Sequence, residues 1–139
     1  MKRIVILGFM VIFLLSVFSG CISTTQSPEK AKFIDITVQQ GKEMIDRGDV
    51  FILDVRTEDE YNAGHIRGSI RIPVQDIPQQ ELNKSLAEIP LDKKILVYCR
   101  TGGRSTRASE ILVNNGFKEV YNMKGGITEW TNAGFEVVK

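Results

Sequence analysis

Cysteine, histidine and tryptophan are scarce in this sequence of 139 residues, which holds two, one and one of them respectively. Two cysteines cannot form a disulfide framework, and a single histidine with so few cysteines excludes the common zinc-binding patterns. No His, Cys or carboxylate cluster has the spacing of a metal site, so we expect no metal and no other cofactor.

The sequence also lacks an excess of either charge. It contains 18 basic and 17 acidic residues, which gives a formal net charge of +1. Without residues 1–20, 16 basic residues remain against the same 17 acids, so the net charge becomes −1. A surface that binds nucleic acid needs a basic excess to neutralise phosphates. We therefore expect no nucleic-acid partner, and any anion site must be local.

One long apolar run is present, at the N-terminus. Met1-Lys2-Arg3 precedes residues 4–18, which are apolar at all but two positions, and Ser19-Gly20-Cys21 follows. This layout is typical of a secretory signal, and the run is short for a membrane span. The small residues before the cysteine resemble the lipobox of prokaryotic lipoproteins, which predicts lipidation of Cys21. The alternative is an uncleaved anchor, and both predict a membrane-tethered protein outside the cytoplasm.

The chain divides into three predicted parts. Residues 1–20 form the signal peptide or hydrophobic anchor, and residues 21–32 contain the lipid-attachment cysteine and a polar, flexible tether. Residues 33–139 have the size of one compact domain. With Cys21 assigned to the anchor, Cys99 is the only thiol left in this domain.

Within the domain, short apolar segments alternate with amphipathic ones. Strands are predicted at residues 33–36, 50–53, 69–73, 95–98 and 119–122. Helices are predicted at residues 37–47, 57–62, 78–89, 105–114 and 126–133. Two Thr-x-x-Gln/Glu capping boxes, at Thr37 and Thr57, mark helix starts. The alternation predicts an α/β fold with about five mostly parallel strands and helices on both faces of the sheet.

Cys99 stands where the apolar segment 95–98 ends, and Arg100-Thr101-Gly102-Gly103-Arg104-Ser105 follows. We call residues 99–105 the cysteine loop. Ligands of parallel sheets bind at the carboxyl ends of the strands. A helix N-terminus and nearby cations lower the pKa of a thiol, and the thiolate is the nucleophile. The glycines let backbone N–H groups converge on one point, so we predict that Cys99 is a nucleophile and that residues 100–105 bind an anionic substrate.

Three ordered stretches resemble the motifs of the rhodanese family. Residues 99–104 are similar to the active-site loop of that family, C-R-x-G-x-R/T. Tyr61-Asn62-Ala63-Gly64-His65-Ile66-Arg67-Gly68-Ser69 is similar to its N-terminal signature. Gly125-Gly126-Ile127-Thr128-Glu129-Trp130 is similar to its C-terminal signature. The resemblance spans residues 33–138 and implies the three-layer rhodanese-like fold.

The resemblance also implies a sulfurtransferase. Cys99 would take a sulfane sulfur from a small anionic donor such as thiosulfate, hold it as a persulfide, and pass it to a thiol or cyanide-like acceptor. The loop amides, Arg100 and Arg104 would hold the donor and stabilise the departing sulfite. Family members specialised for thiosulfate often have Lys at the position of Thr101. Because this Lys is absent, the physiological donor stays open, and thiosulfate is expected only as the donor in vitro.

Two other functions remain open. A membrane-tethered sulfur carrier or redox-partner module with little free turnover would use the same Cys99. Phosphatases and arsenate reductases of the related fold have the pattern C-x5-R, which would require arginine at position 105. That position is Ser105, and the arginine lies at 104, so this chemistry is the weaker alternative.

Three further polar residues lie near the expected active edge. Asp54 and Arg56 end the second strand, and an ion pair between them would support the cysteine loop; a role at the start of the next helix is the alternative. We expect His65, the only histidine, to be a structural loop residue rather than a general base.

Overall fold

The computed structural model describes residues 32–139. The expected signal or anchor, Cys21 and all of the tether except its last residue lie outside the described residues. Among residues 32–139, no helix is both long enough and apolar enough to cross a bilayer.

A five-stranded parallel sheet forms the centre of the domain, in the order β1-β5-β4-β2-β3. Its strands are β1 (Ile34–Ile36), β2 (Val50–Asp54), β3 (Ile70–Arg71), β4 (Lys94–Tyr98) and β5 (Val120–Met123). This arrangement confirms the predicted α/β fold. The central strand is β4, so the residues that follow it lie in the middle of the carboxyl edge.

Five helices lie around this sheet: α1 (Val38–Arg47), α2 (Glu58–Ala63), α3 (Gln79–Leu86), α4 (Gly103–Asn114) and α5 (Gly126–Asn132). Side chains of β4 alternate between two apolar clusters because successive residues of a strand point to opposite faces. Ile95 and Val97 pack with residues of α3 and α4. Leu96 and Tyr98 pack with residues of α1 and α5. Helices therefore cover both faces, as predicted.

The first two helices begin at the predicted capping boxes. The Thr37 side chain accepts a hydrogen bond from the Gln40 amide, and the Gln40 side chain accepts from the Thr37 amide. Thr57 and Glu60 make the same reciprocal pair at the start of α2. Gly48 ends α1 with a φ of 79°, in the left-handed region that favours glycine.

Two elements are shorter than predicted by more than one residue. The third strand was expected over residues 69–73, but β3 pairs with β2 at only two positions, because β2 itself ends at Asp54. The third helix was expected to reach residue 89, but α3 ends at Leu86. After it, the amides of Glu88 and Ile89 each bond to the carbonyl three residues earlier, which tightens the chain out of α-helical geometry.

Asp54 and Arg56 form an almost completely buried ion pair, in which Arg56 Nη2 lies 2.6 Å from Asp54 Oδ2. The same nitrogen donates to the carbonyl of Gly64 at 2.8 Å. The guanidinium also lies 5.5 Å from the centre of the Tyr98 ring. The predicted ion pair therefore forms, and it joins the end of β2 to the turn after α2. Its contact with Tyr98 places it beside the residue that precedes Cys99, and its support of the cysteine loop stays a prediction.

Replacing Arg56 tests this buried pair. Arg56→Met leaves the Asp54 carboxylate buried without its partner, so we expect the free energy of unfolding to fall by about 3–5 kcal/mol in urea titrations. The matched control is Arg47→Met, since Arg47 pairs with Glu43 at 3.4 Å on the surface, and its removal should cost less than about 1 kcal/mol. Equal losses in the two variants would contradict the role of the buried pair.

Candidate active site

Cys99 directly follows the central strand at the carboxyl edge of the sheet. Its side chain is a free thiol that is only 1% exposed. It packs in the apolar cluster that also contains Val55, Val74 and Ala108. The loops after β2, β3 and β5 lie at the same edge, so residues from several strands can contribute to a site around this sulfur.

The cysteine loop turns at Gly102, whose φ of 114° lies in the region that favours glycine. This turn starts α4 at Gly103, two residues before the predicted start at Ser105. The carbonyl of Gly102 accepts hydrogen bonds from the Thr106 amide at 3.0 Å and from the Thr106 hydroxyl at 2.8 Å. Arg104 and Ser105 therefore belong to the first helical turn, where backbone amides point toward the sulfur.

Hydrogen-bond donors of the loop gather at the sulfur of Cys99. The amide of Gly102 donates to Sγ at 3.0 Å, and the hydroxyl oxygen of Ser105 lies 3.5 Å from Sγ. Burial alone would raise the pKa of the Cys99 thiol. The Ser105 hydroxyl and the amides of Ser105, Gly102 and Thr101 outweigh burial, so the pKa lies below the ordinary value for cysteine. This environment favours the nucleophilic thiolate.

The Ser105 hydroxyl has two acceptors within reach. It donates to the Gly102 carbonyl at 3.0 Å, and it can donate to the Cys99 sulfur once that sulfur is ionised. The carbonyl keeps its bonds from Thr106 when Ser105 turns away. Asn122 holds the Thr106 hydroxyl in this direction, because its Nδ2 donates to Thr106 Oγ1 at 3.1 Å. When Cys99 ionises, the Ser105 hydroxyl can therefore turn from the Gly102 carbonyl to the sulfur without leaving that carbonyl unpaired.

Backbone hydrogen bonds from the start of α5 fix the backbone of the cysteine loop. The amide of Ile127 donates to the Cys99 carbonyl at 2.9 Å, and the amide of Thr128 donates to the Arg100 carbonyl at 3.1 Å. Gly126 permits this approach, since a Cβ there would lie 2.4 Å from the Cys99 oxygen. Sequence reasoning placed residues 125–130 in a motif without giving them this role. The signal was the glycine pair, which indicates close approach of another chain segment.

The two arginines of the loop differ in their surroundings. Arg100 is exposed. Arg104 makes two hydrogen bonds of 2.7 Å to Glu60, one from each terminal nitrogen. Glu60 was predicted only as a helix-capping residue, and no local sequence signal indicates its contact with a residue 44 positions away. Thr101 and Gly103 are exposed as well.

The remaining candidates lie in structural positions. The His65 ring stacks on Tyr61 with centroids 3.8 Å apart, and its Nδ1 lies 3.0 Å from the Tyr61 carbonyl oxygen. The pair of Asp54 and Arg56 stays at the turn near Gly64. Within residues 32–139, no group of three or more histidine, cysteine or carboxylate side chains could hold a metal ion.

Ser105→Ala tests the hydroxyl at the sulfur. Burial remains while one stabilising hydrogen bond is lost, so the pKa of Cys99 should rise. The pH midpoint of alkylation by iodoacetamide then moves upward, because less thiolate is present at each pH. Ser109→Ala is the control, since this buried hydroxyl of the same helix has no partner within the described residues. An unchanged midpoint in Ser105→Ala would contradict the assigned role.

Gly126→Ala tests the support from α5. Its Cβ would collide with the Cys99 and Arg100 carbonyls, so the loop amides should move and the alkylation rate of Cys99 near neutral pH should fall at least about tenfold. Gly48→Ala is the matched control. Gly48 also has a positive φ of 79°, but a Cβ there meets no atom within 4 Å. Both variants should lose stability through backbone strain, and only Gly126→Ala should lose thiol reactivity. Equal reactivity in both would sink this interpretation.

Known proteins resemble this chain over the part that forms the site. Residues 37–133 match the family model of the rhodanese-like domain. The thiosulfate sulfurtransferase GlpE of Pseudoalteromonas translucida is 36% identical over 107 residues, which cover 77% of this chain and 97% of that protein. A sulfurtransferase of Allochromatium vinosum is 35% identical over 95 residues, which cover 68% of this chain and 84% of that protein.

A solved structure has the same architecture. The crystal structure of a rhodanese-related protein from Thermoplasma volcanium aligns with a TM-score of 0.64 and 34% identity, over 76% of this chain and 97% of that chain. The family match covers the strand, the cysteine loop and the helix that follows it. On the fold, the site and these similarities together, the chain belongs to the family of rhodanese-like domains.

Proposed function

We propose that this chain is a sulfurtransferase that moves a sulfane sulfur from a thiosulfate-like donor to a thiophilic acceptor through a persulfide on Cys99. The observation that carries the proposal is the bonding of the Cys99 sulfur by the Gly102 amide at 3.0 Å, with the Ser105 hydroxyl 3.5 Å away. These groups stabilise negative charge on the sulfur. The sulfurtransferase relatives support the same class of reaction.

The reaction has two covalent steps. The Cys99 thiolate attacks the outer sulfur of the donor, the sulfur–sulfur bond of thiosulfate breaks, and sulfite leaves with the bonding electrons. The transferred sulfur then carries the charge as a persulfide. A thiolate or cyanide attacks this outer sulfur in the second step, which restores the Cys99 thiolate and, with cyanide, yields thiocyanate.

The cysteine loop supplies room and charge for a small donor. A cleft of about 180 Å³ borders the loop, and its lining includes Thr101, Gly103 and Lys124. Arg100 is exposed at the same loop and can attract an anion. Cys99 itself does not line this cleft. Thiosulfate serves as the donor in vitro in this proposal.

A sulfur carrier with little free turnover is the second candidate. The observation that favours it is the burial of Cys99, which is 1% exposed and would shield a persulfide from solvent thiols. A redox protein that accepts the sulfur directly would then be the partner. The carrier and the enzyme share the first covalent step and differ in how readily a small acceptor removes the sulfur.

We also propose that the domain is tethered to a membrane outside the cytoplasm. The support is the sequence of residues 1–21, with its basic start, its apolar run and Cys21 after small residues. The tether is either a lipid on Cys21 or an uncleaved anchor. Globomycin sensitivity of processing in a bacterial host separates the two, since only lipoprotein signals are cleaved by the enzyme that this antibiotic blocks.

Intact-mass analysis tests the proposed reaction. After the full chain is exposed to thiosulfate and desalted, its mass should rise by one sulfur atom. Cys99→Ser should show no gain, while Cys21→Ser should keep it, because only Cys99 lies in the cysteine loop. Release of thiocyanate on adding cyanide, with return to the starting mass, favours the enzyme; a retained sulfur favours the carrier. A sulfur gain that persists in Cys99→Ser would refute both.

A further inference from the structure

Arg104, expected to bind an anionic donor, is already bound to a carboxylate. Its Nη1 donates to Glu60 Oε2 and its Nη2 donates to Glu60 Oε1, both at 2.7 Å. This is the two-pronged geometry in which guanidinium and carboxylate groups bind most strongly. The two side chains are 33% and 28% exposed, so the pair is partly shielded from water and from salt.

The pair persists over the whole pH range of an enzyme assay. The hydrogen bonds from Arg104 lower the pKa of Glu60 to about 2, against a smaller opposing effect of burial, and Thr57 adds further hydrogen bonds. Glu60 is therefore a carboxylate at any pH above about 3. The charge of Arg104 is neutralised locally at every pH where Cys99 is a thiolate.

The other charges near the loop do not compensate for this neutralisation. The hydrogen bonds to Glu60 raise the pKa of the Arg104 guanidinium most, and the negative charge of nearby Asp76 adds a smaller effect in the same direction. Within residues 32–139, Arg100 has no ion-pair partner. Lys124, which lines the cleft beside the loop, lies 4.0 Å from Asp35. Counted together, the cations Arg100, Arg104 and Lys124 are balanced by the carboxylates of Glu60, Asp76 and Asp35, so the charges near the loop sum to zero. Such a site gives a doubly charged anion little net attraction, and each carboxylate repels it twice as strongly as a singly charged one.

We propose that Glu60 is a positioning residue that adapts this site to singly charged or neutral sulfane-sulfur donors, such as organic persulfides, in preference to the thiosulfate dianion. The inference rests on the sulfurtransferase function proposed above. With a persulfide donor, the Cys99 thiolate attacks the outer sulfur of R–S–SH. The sulfur–sulfur bond breaks, Cys99–S–SH forms, and R–S⁻ leaves, so atoms and charge balance without an oxidant or reductant.

Glu60→Gln removes the carboxylate charge with little change in shape. Glutamine also forms capping boxes, so the start of α2 should persist, and its amide oxygen can still accept one bond from Arg104. The matched control is Asp59→Asn. Asp59 is a neighbouring acid of the same helix, in its first turn, and the same charge is removed there, but it has no ion-pair partner among the described residues.

Two donors that differ in charge give the readout. Thiosulfate carries two negative charges and benzenethiosulfonate carries one, and both offer a sulfane sulfur bound to an oxidised sulfur. With cyanide as acceptor and the full chain at low ionic strength, Glu60→Gln should raise kcat/KM about tenfold for thiosulfate and about threefold for benzenethiosulfonate. High salt should reduce both gains. Asp59→Asn should change each value less than twofold.

The result that would overturn the proposal is an equal change for both donors in Glu60→Gln, a fall for thiosulfate, or the same donor discrimination in Asp59→Asn. If Glu60→Gln does not fold, Asp76→Asn replaces it, because it removes the other carboxylate near Arg104 and should shift the donor ratio in the same direction. Failure of the sulfurtransferase function looks different, since neither donor would then add sulfur to Cys99 in the unmodified chain.

Discussion

The hydrogen bonds that converge on the sulfur of Cys99 are the interaction on which the rest of the site depends. A buried thiol resists ionisation, so a thiolate exists here only if donors are fixed around it. The Gly102 amide and the Ser105 hydroxyl provide them. Their positions depend in turn on the left-handed turn at Gly102 and on the amides of α5 that bind the Cys99 and Arg100 carbonyls. The ionisation of the Cys99 sulfur therefore depends on three segments: the cysteine loop, the first turn of α4 and the start of α5.

The two arginines of the cysteine loop suggest a strongly positive site, but the net positive charge near the sulfur is small. Arg104 connects α4 to α2 through Glu60, so a carboxylate neutralises its charge, and Arg100 is the fully exposed arginine of the loop. Stabilisation of the thiolate then comes mainly from dipoles and hydrogen bonds rather than from free positive charge. Hydrogen bonds can therefore activate the nucleophile while little net positive charge is left to attract an anionic donor. The proposed preference for donors of low charge follows from this shortage of positive charge.

Local patterns were enough to predict most of the fold. The capping boxes at Thr37 and Thr57 depend on contacts three residues apart, and the apolar segments gave the strands of a parallel sheet. Cys99 could be predicted as the nucleophile because it ends an apolar strand and is followed directly by a loop of glycines and arginines. The start of α4 was missed because the glycines at 102 and 103 indicate a turn. The bonds from α5 to the cysteine loop and from Glu60 to Arg104 could not be found, since they depend on how distant segments pack.

The most direct measurement of the central claim is the pH titration of the Cys99 thiolate by its ultraviolet absorbance, taken as the difference between the full chain and its Cys99→Ser variant. The midpoint should lie below the ordinary cysteine value of about 8.5, because the loop donors outweigh burial. A midpoint at or above that value would show that burial dominates, and the assignment of Cys99 as an activated nucleophile would then be wrong.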